Sequence, residues 1–259
     1  LFTKSAKDFL DSWFESDHIK ACFGFDSIVG NYASPETPGS AYVLLHHVFG
    51  EIDGEKGAWG HAVGGMGSIT QLMKNVCEEK GVEISTNAGV EKVLIKNNKA
   101  IGVMLEDGSE VFADKVISNL NPKLLFKKLV DRNDVNQEYR RKILNYKCGS
   151  GTFRMNVALS ELPDFNCLPG KEISEHHKSG IVIAPSLTYM DQAFTDAKQY
   201  GWSKNPIVEM LIPSTVDSTL APKGKHVASL FCQQFAPTLP DNKSWHDEKT
   251  NAANTIIET

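Results

Sequence analysis

The run Gly64-Gly65-Met66-Gly67-Ser68 is the stretch of this chain best suited to hold a ligand through its backbone. Glycines let the main chain come close to a bound group, and the free N–H groups at a helix start favour partial negative charge. The helix itself is read from Ile69, Leu72, Met73 and Val76, which recur at helical spacing until Gly81 stops them. Ser68 followed by Gln71 predicts a capping box. On these residues alone a tight turn with a simple cap is the preferred reading. The pattern G-x-G-x-x-G fails at Thr70 here, and at Arg154 after Gly149 and Gly151.

Other reactive side chains are sparser. His61, just before the glycine run, is a candidate proton donor, although a loop histidine bonded to backbone is the commoner outcome. His46-His47 and His176-His177 are adjacent pairs whose rings point in different directions, without a CxxC or HExxH context, so they are expected as surface or loop histidines and no metal site is predicted. Glu78-Glu79 and Glu106-Asp107 fall at a helix end and a turn tip, which gives no support to paired-carboxylate hydrolysis. Ser186 and Ser214 lack the G-x-S-x-G elbow of a serine hydrolase. Trp59 and Trp202 are expected in the core and His226 in a structural role, with Met66, Met104, Met155 and Met210 as packing residues unless they wall an apolar cavity.

The elements that must position these residues come from an ordinary globular composition. The chain has 259 residues, 41% of them apolar, enough for one large domain or two small ones. A net charge of -5 gives no attraction for nucleic acid. Five widely spaced cysteines without a CxxC argue for reduced thiols in a reducing compartment. No apolar run is long enough to span a bilayer, and no secretory signal opens the chain. The start at Leu1 and the end at Thr259 suggest a piece of something longer.

Residues through Leu45 read as helical, with Phe9, Leu10, Trp13 and Phe14 on one face and a break at Pro35, Pro38 and Gly39. After the glycine run and its helix, Val82–Thr86 alternates as a short strand. Asn97-Asn98 is a hairpin turn between Val93, Ile95 and Ile101, Val103, Leu105, and Glu106-Asp107-Gly108 turns the chain again toward Val111–Ala113. Lys115–Ser118 reads as a final strand before Asn121-Pro122, a cap and first turn of the next helix.

Taken in order, Gly57-Ala-Trp-Gly60, Gly64–Ser68, Gly81–Ile84, Gly89-Val90, Leu105–Gly108 and Val116-Ile-Ser-Asn119 with Pro122 resemble the middle of FAD-dependent oxidoreductases of the phytoene desaturase type. The likeness continues through Leu159–Pro163, Ile212–Thr215 and Leu220–His226, so it spans nearly the whole chain. It implies an α/β (α+β) fold, with part of an FAD-binding domain carrying a three-stranded meander beside a mixed-sheet substrate domain with helices. Residues 1–62 would be a helical part of the substrate domain with a connecting loop, 63–121 the FAD-domain segment, and 122–259 the substrate-binding domain.

The resemblance also implies roles. Gly64, Gly65, Gly67, Val90 and Ser118 would be cofactor-binding, with the backbone at Val90 meeting the adenine end of FAD. Met66, Ser68 and His61 would face a small apolar, isoprenoid-like substrate, whose transfer from water supplies binding energy. Hydride would pass between a substrate C–H and the flavin, which explains a site without an obvious catalytic residue. The family's N-terminal pyrophosphate-binding turn and its C-terminal Gly-Asp segment are missing, so FAD is expected to bind this chain weakly or not at all. A cytoplasmic location is expected, or the mitochondrial matrix in a eukaryote, with self-association through uncovered sheet edges. Two other readings stay open: a non-catalytic module for a hydrophobic ligand or a protein, and an amine-oxidase-like flavoenzyme.

Overall fold

The structure, a computed structural model, describes residues 2–47 and 49–259. Three short helices open it: α1 (Ala6–Asp11), α2 (Asp17–Phe25) and α3 (Ser40–His46). Ser5 caps α1 by accepting a hydrogen bond from the Asp8 N–H at 3.0 Å. A small hairpin, β1 (Glu51–Ile52) and β2 (Glu55–Lys56), precedes α4 (Met66–Glu79). The meander follows as β3 (Val90–Lys96), β4 (Lys99–Leu105) and β5 (Glu110–Phe112). Then come α5 (Pro122–Leu124), which continues into a π-helical turn Leu125–Leu129, and α6 (Gln137–Asn145). The remainder is β6 (Thr152–Leu159), α7 (Glu175–Lys178), β7 (Ile181–Ile183), α8 (Leu187–Tyr200), β8 (Trp202–Leu211), β9 (His226–Phe235) and α9 (Trp245–Ile257).

The chain divides into two compact units, one of residues up to Gln71 together with Gly149–Thr259, the other Leu72–Cys148. Residues 122–148, which the resemblance gave to the substrate domain, therefore fall in the unit of the meander.

In the larger unit the sheet order is β6-β9-β8-β7. Every pairing in it is antiparallel, where the resemblance implied a mixed sheet. β7 and β8 are joined by α8, and β8 returns beside β7 with Ile183 opposite Val208 and Ile181 opposite Met210; the register of β8 on β9 shifts between Trp202 and Ile207.

Alternation gives this sheet two different faces. One presents Val208, Ala228, Leu230 and Cys232, which pack with Ala252 and Ile256 of α9. The other presents Ile207 to Leu10, Phe25, Ile28, Leu187 and Met190 of the helices. Gly24 allows close approach of α2 and α8, since a Cβ there would lie 2.2 Å from Leu187 Cδ2. Trp202 belongs to the core as expected, with its ring 5.8 Å from Trp245.

Several local expectations are corrected. α1 ends at Asp11, which leaves Trp13 outside the helix and 71% exposed. His177 is fully buried rather than on the surface: Nδ1 accepts from the Ser174 N–H at 3.2 Å, and Nε2–H donates to Pro163 O at 3.0 Å. α4 starts at Met66, ahead of Ser68, so Ser68 is not its cap; its hydroxyl donates to Gly65 O at 2.7 Å instead. Val82–Thr86 and Lys115–Ser118 form no strand and join no sheet among the described residues. Strand alternation needs a ladder to pair with, and Ile117 is left 93% exposed.

The hairpins fold as read. Asn97 and Asn98 take φ of 52° and 61°, the left-handed pair a two-residue turn requires, and set Lys96 opposite Lys99. Asn121 accepts from the Lys123 N–H at 2.9 Å and Pro122 opens α5. No helix among the described residues is long and apolar enough to cross a membrane.

The thiols differ sharply. Cys22, Cys148 and Cys167 are exposed, whereas Cys232 is buried and its thiol is pushed up to about 12 by that burial. An aromatic disulfide reagent at about pH 8 is expected to label Cys22, Cys148 and Cys167 in the native protein and Cys232 only after denaturant. Native labelling of Cys232, read by peptide mass mapping, would contradict the packing of β9 on α9.

Candidate functional site

The glycine run is held from a distance by an aspartate. Asp217, whose side chain is 4% exposed, accepts a hydrogen bond from the Gly64 N–H at 2.7 Å through Oδ2. Its other oxygen takes the Thr219 N–H at 3.0 Å and the Thr219 hydroxyl at 2.6 Å. These donors, Thr219 first and then Gly64, hold the carboxyl below the usual carboxylate range. His61 Nε2 lies 3.8 Å from the same Oδ2. Gly64 and Gly65 take φ of 84° and 79°, a region side chains rarely adopt, and a Cβ on Gly65 would crowd Leu220 at 3.2 Å. Asp217 was not among the residues the sequence singles out. Its only local signal is Asp-Ser-Thr, a helix-capping pattern.

His61 and Gly60 also border a cavity of about 610 Å³ in the same unit. Trp59 stands at its rim and is 79% exposed, so it is a lining residue and not core. Apolar walls come from Phe25, Val29, Ile212, Pro213, Val216 and Phe231. Charged and titratable groups are present too: Asp26, His47, Arg154, Lys178 and Glu209. Burial pushes the Asp26 carboxyl up; Glu209 is raised by burial first and by Asp26 second, with Arg154 and His47 opposing. Met66 and Ser68 do not line this cavity, and Met66 is 76% exposed.

Val90 and Ser118 meet elsewhere, in the smaller unit. They line a groove of about 610 Å³ whose floor is Val93 and Val103 of the meander and whose wall is Leu124, Leu125 and Leu129. A register shift between Val90 and Lys92 takes Glu91 out of the β3–β4 ladder beside the groove, which frees main-chain groups there. Gly89 lies close to Glu106 at this corner: a Cβ would fall 2.6 Å from its carboxylate, the movable end of that side chain, while the Glu106 N–H donates to Gly89 O at 2.8 Å. The residues expected to touch cofactor thus form two clusters, Val90 with Ser118 in one unit and Gly64 with Gly65 in the other, while Gly67 has open space around its Cα within α4.

Known proteins resemble this chain over most of its length. The chain is 37% identical over 247 residues to the protein named "Pyridine nucleotide-disulfide oxidoreductase domain-containing protein 2" of Rattus norvegicus, covering 93% of this chain and 42% of that one. It is 26% identical to "Phytoene desaturase (lycopene-forming)" of Pseudescherichia vulneris, over 81% of this chain and 39% of the relative. The chain therefore spans less than half the length of these relatives. Among solved structures, an oxidoreductase from Methanosarcina mazei superposes with a TM-score of 0.62 at 20% identity, covering 98% of this chain and 50% of that one, which shows the fold. The profile of the family described as "Flavin containing amine oxidoreductase" matches residues 4–152, from the first helix to the start of β6, and the meander with its groove and the glycine run lie inside that match: this chain belongs to the flavin containing amine oxidoreductase family.

Proposed function

We propose that this chain is the central part of an FAD-dependent oxidoreductase that moves hydride between a substrate C–H and the flavin. The observation that carries the reading is the groove joining Val90 to Ser118, an apolar slot with main-chain groups released by the Glu91 bulge at its edge. Such a slot suits a flat heteroaromatic base, sandwiched by Val90, Val103 and Leu125 and read by backbone donors and acceptors. These residues fit the adenine end of FAD, and Gly64 with Gly65 would let backbone approach the rest of it. Bound FAD supplies the hydride acceptor. The protein's own part is to orient substrate and exclude water. The cavity bordered by Trp59 and His61 is where the substrate would lie, its walls of Phe25, Val29 and Val216 gripping an apolar body.

The test uses a protein extended at both ends to the length of the relatives. It is expected to purify with flavin absorbance, and Val90→Glu, which puts an unpaired charge in the groove, should weaken FAD binding at least about tenfold without unfolding the larger unit. An extended protein that takes up no flavin under any loading condition would refute the reading.

A further inference from the structure

We propose that the cavity beside Trp59 and His61 selects an amphipathic substrate carrying a neutral hydroxyl head, received by Glu209, Asp26 and Arg154, over a bare hydrocarbon. The inference rests on the substrate-site reading above and names the substrate class for it. Across the sheet, Arg154, Phe231 and Glu209 stand in one register row on the face turned to the cavity. Strand spacing puts the two charged residues about 10 Å apart, on either side of Phe231. The Arg154 guanidinium leans over that ring at 5.3 Å, and its Nη2 donates to Ser229 Oγ at 2.9 Å. Asp26, the residue that ends α2, lines the cavity over the same row.

Among the described residues neither the Asp26 nor the Glu209 carboxylate has a hydrogen bond or ion pair from protein, and both line the cavity. Beyond the pull of His47 and Arg154, such groups keep their charge by what enters the space beside them. A hydrocarbon filling it would displace water from both carboxylates and return nothing. A hydroxyl donates to one of them and accepts from the Arg154 side. A charged head gains less: an anion meets both carboxylates, and a cation meets Arg154 and His47 beside them, Lys178 being engaged by Glu175 at 2.8 Å. Burial that raises both carboxyls adds to the need for a donor and makes a second negative charge unwelcome. The tail has its place along Ile212, Pro213 and Val216 toward Trp59.

The experiment titrates the 259-residue chain with four probes of one tail length, 1-octanol, n-octane, octanoate and octylammonium, and follows tryptophan fluorescence, with Trp59→Phe to isolate the cavity signal. Octanol is expected to saturate the Trp59 signal at a concentration about tenfold lower than octane and below both charged probes. Glu209→Gln, which keeps shape and hydrogen bonding, should retain the preference for octanol, and Glu209→Leu should narrow it. Octane binding as tightly as octanol, a charged probe binding tightest, or no saturable Trp59 signal with any probe would overturn the proposal. Because the readout does not involve flavin, lost octanol selectivity in a protein that binds FAD rejects this inference alone. Octanol selectivity in a protein that never binds FAD rejects the oxidoreductase reading alone.

Discussion

Gly102→Ala is expected to destabilise residues 72–148 strongly while the larger unit stays intact. A Cβ at Gly102 would lie 2.3 Å from Val111 O and 2.9 Å from Phe112 Cα, both backbone atoms of the neighbouring β5. They cannot yield without breaking the Gly102–Phe112 and Val103–Val111 pairings. Forced contacts of this kind cost about 2–3 kcal/mol. A unit this small commands only about 3–5 kcal/mol in the first place, and Val93 is its one buried apolar side chain among the described residues. Amide exchange in β3, β4 and β5 should therefore accelerate about 30- to 150-fold, with β8 and β9 unchanged. Gly67→Ala is the control: nothing lies within 4 Å of its Cβ and it sits within α4, so alanine should be neutral or mildly stabilising there. Unaltered exchange in the Gly102 variant would mean that β4 and β5 are not packed as described. Since Val93 and Val103 floor the groove, the same substitution in the extended protein is expected to abolish FAD retention.

What the sequence made legible was local. Asn97-Asn98 and Gly108 specify their turns by needing positive φ, and Asn121-Pro122 specifies a helix start, so each could be read without knowing its neighbours. Val82–Thr86 and Lys115–Ser118 show the same alternation as the paired strands, but a strand is a relation between segments, and their pattern does not say which ladder they join. The core placement of Trp59 failed for a related reason. Burial of a tryptophan is an average tendency, and the glycines on either side, Gly57 and Gly60, hold this one on an exposed loop at a cavity rim. The unpaired carboxylates were the least legible. Asp26 and Glu209 are far apart in sequence, and each looks like any surface acid until the sheet row and the end of α2 close on the same space. Asp217 had the same defect, because its partner Gly64 is 153 positions away.

Removing that partner supplies the second large effect. Asp217→Ala deletes the acceptor of three donors at once, the Gly64 N–H, the Thr219 N–H and the Thr219 hydroxyl, in a place 4% exposed. Gly64 and Thr219 are themselves exposed, so water takes over part of what the carboxylate gave these donors and the loss is the net contribution of three hydrogen bonds. The larger unit should melt about 5 °C lower, and exchange at Gly64 should lose its protection, while the Gly65 N–H keeps its bond to Ala62 O at 2.9 Å. Acid gives an independent check. The Asp217 carboxyl is held below its unfolded value by these same donors, so its contribution is complete above about pH 4, the unfolded carboxylate range, and is lost as pH falls through the lower, folded value. Wild-type protection at Gly64 should fade across that acid window. Asp217→Asn, which keeps an acceptor but no charge, should show weaker protection that is flat with pH over the same range. A Gly64 amide equally protected in wild type and Asp217→Ala would mean the glycine run holds its shape unaided, and Asp217 would lose its part in presenting backbone to a cofactor. In the extended protein the same loss of order is expected to lower FAD affinity while leaving the Val90 groove folded, which separates the two clusters: a Gly102 change removes the groove, and an Asp217 change loosens only the glycine run.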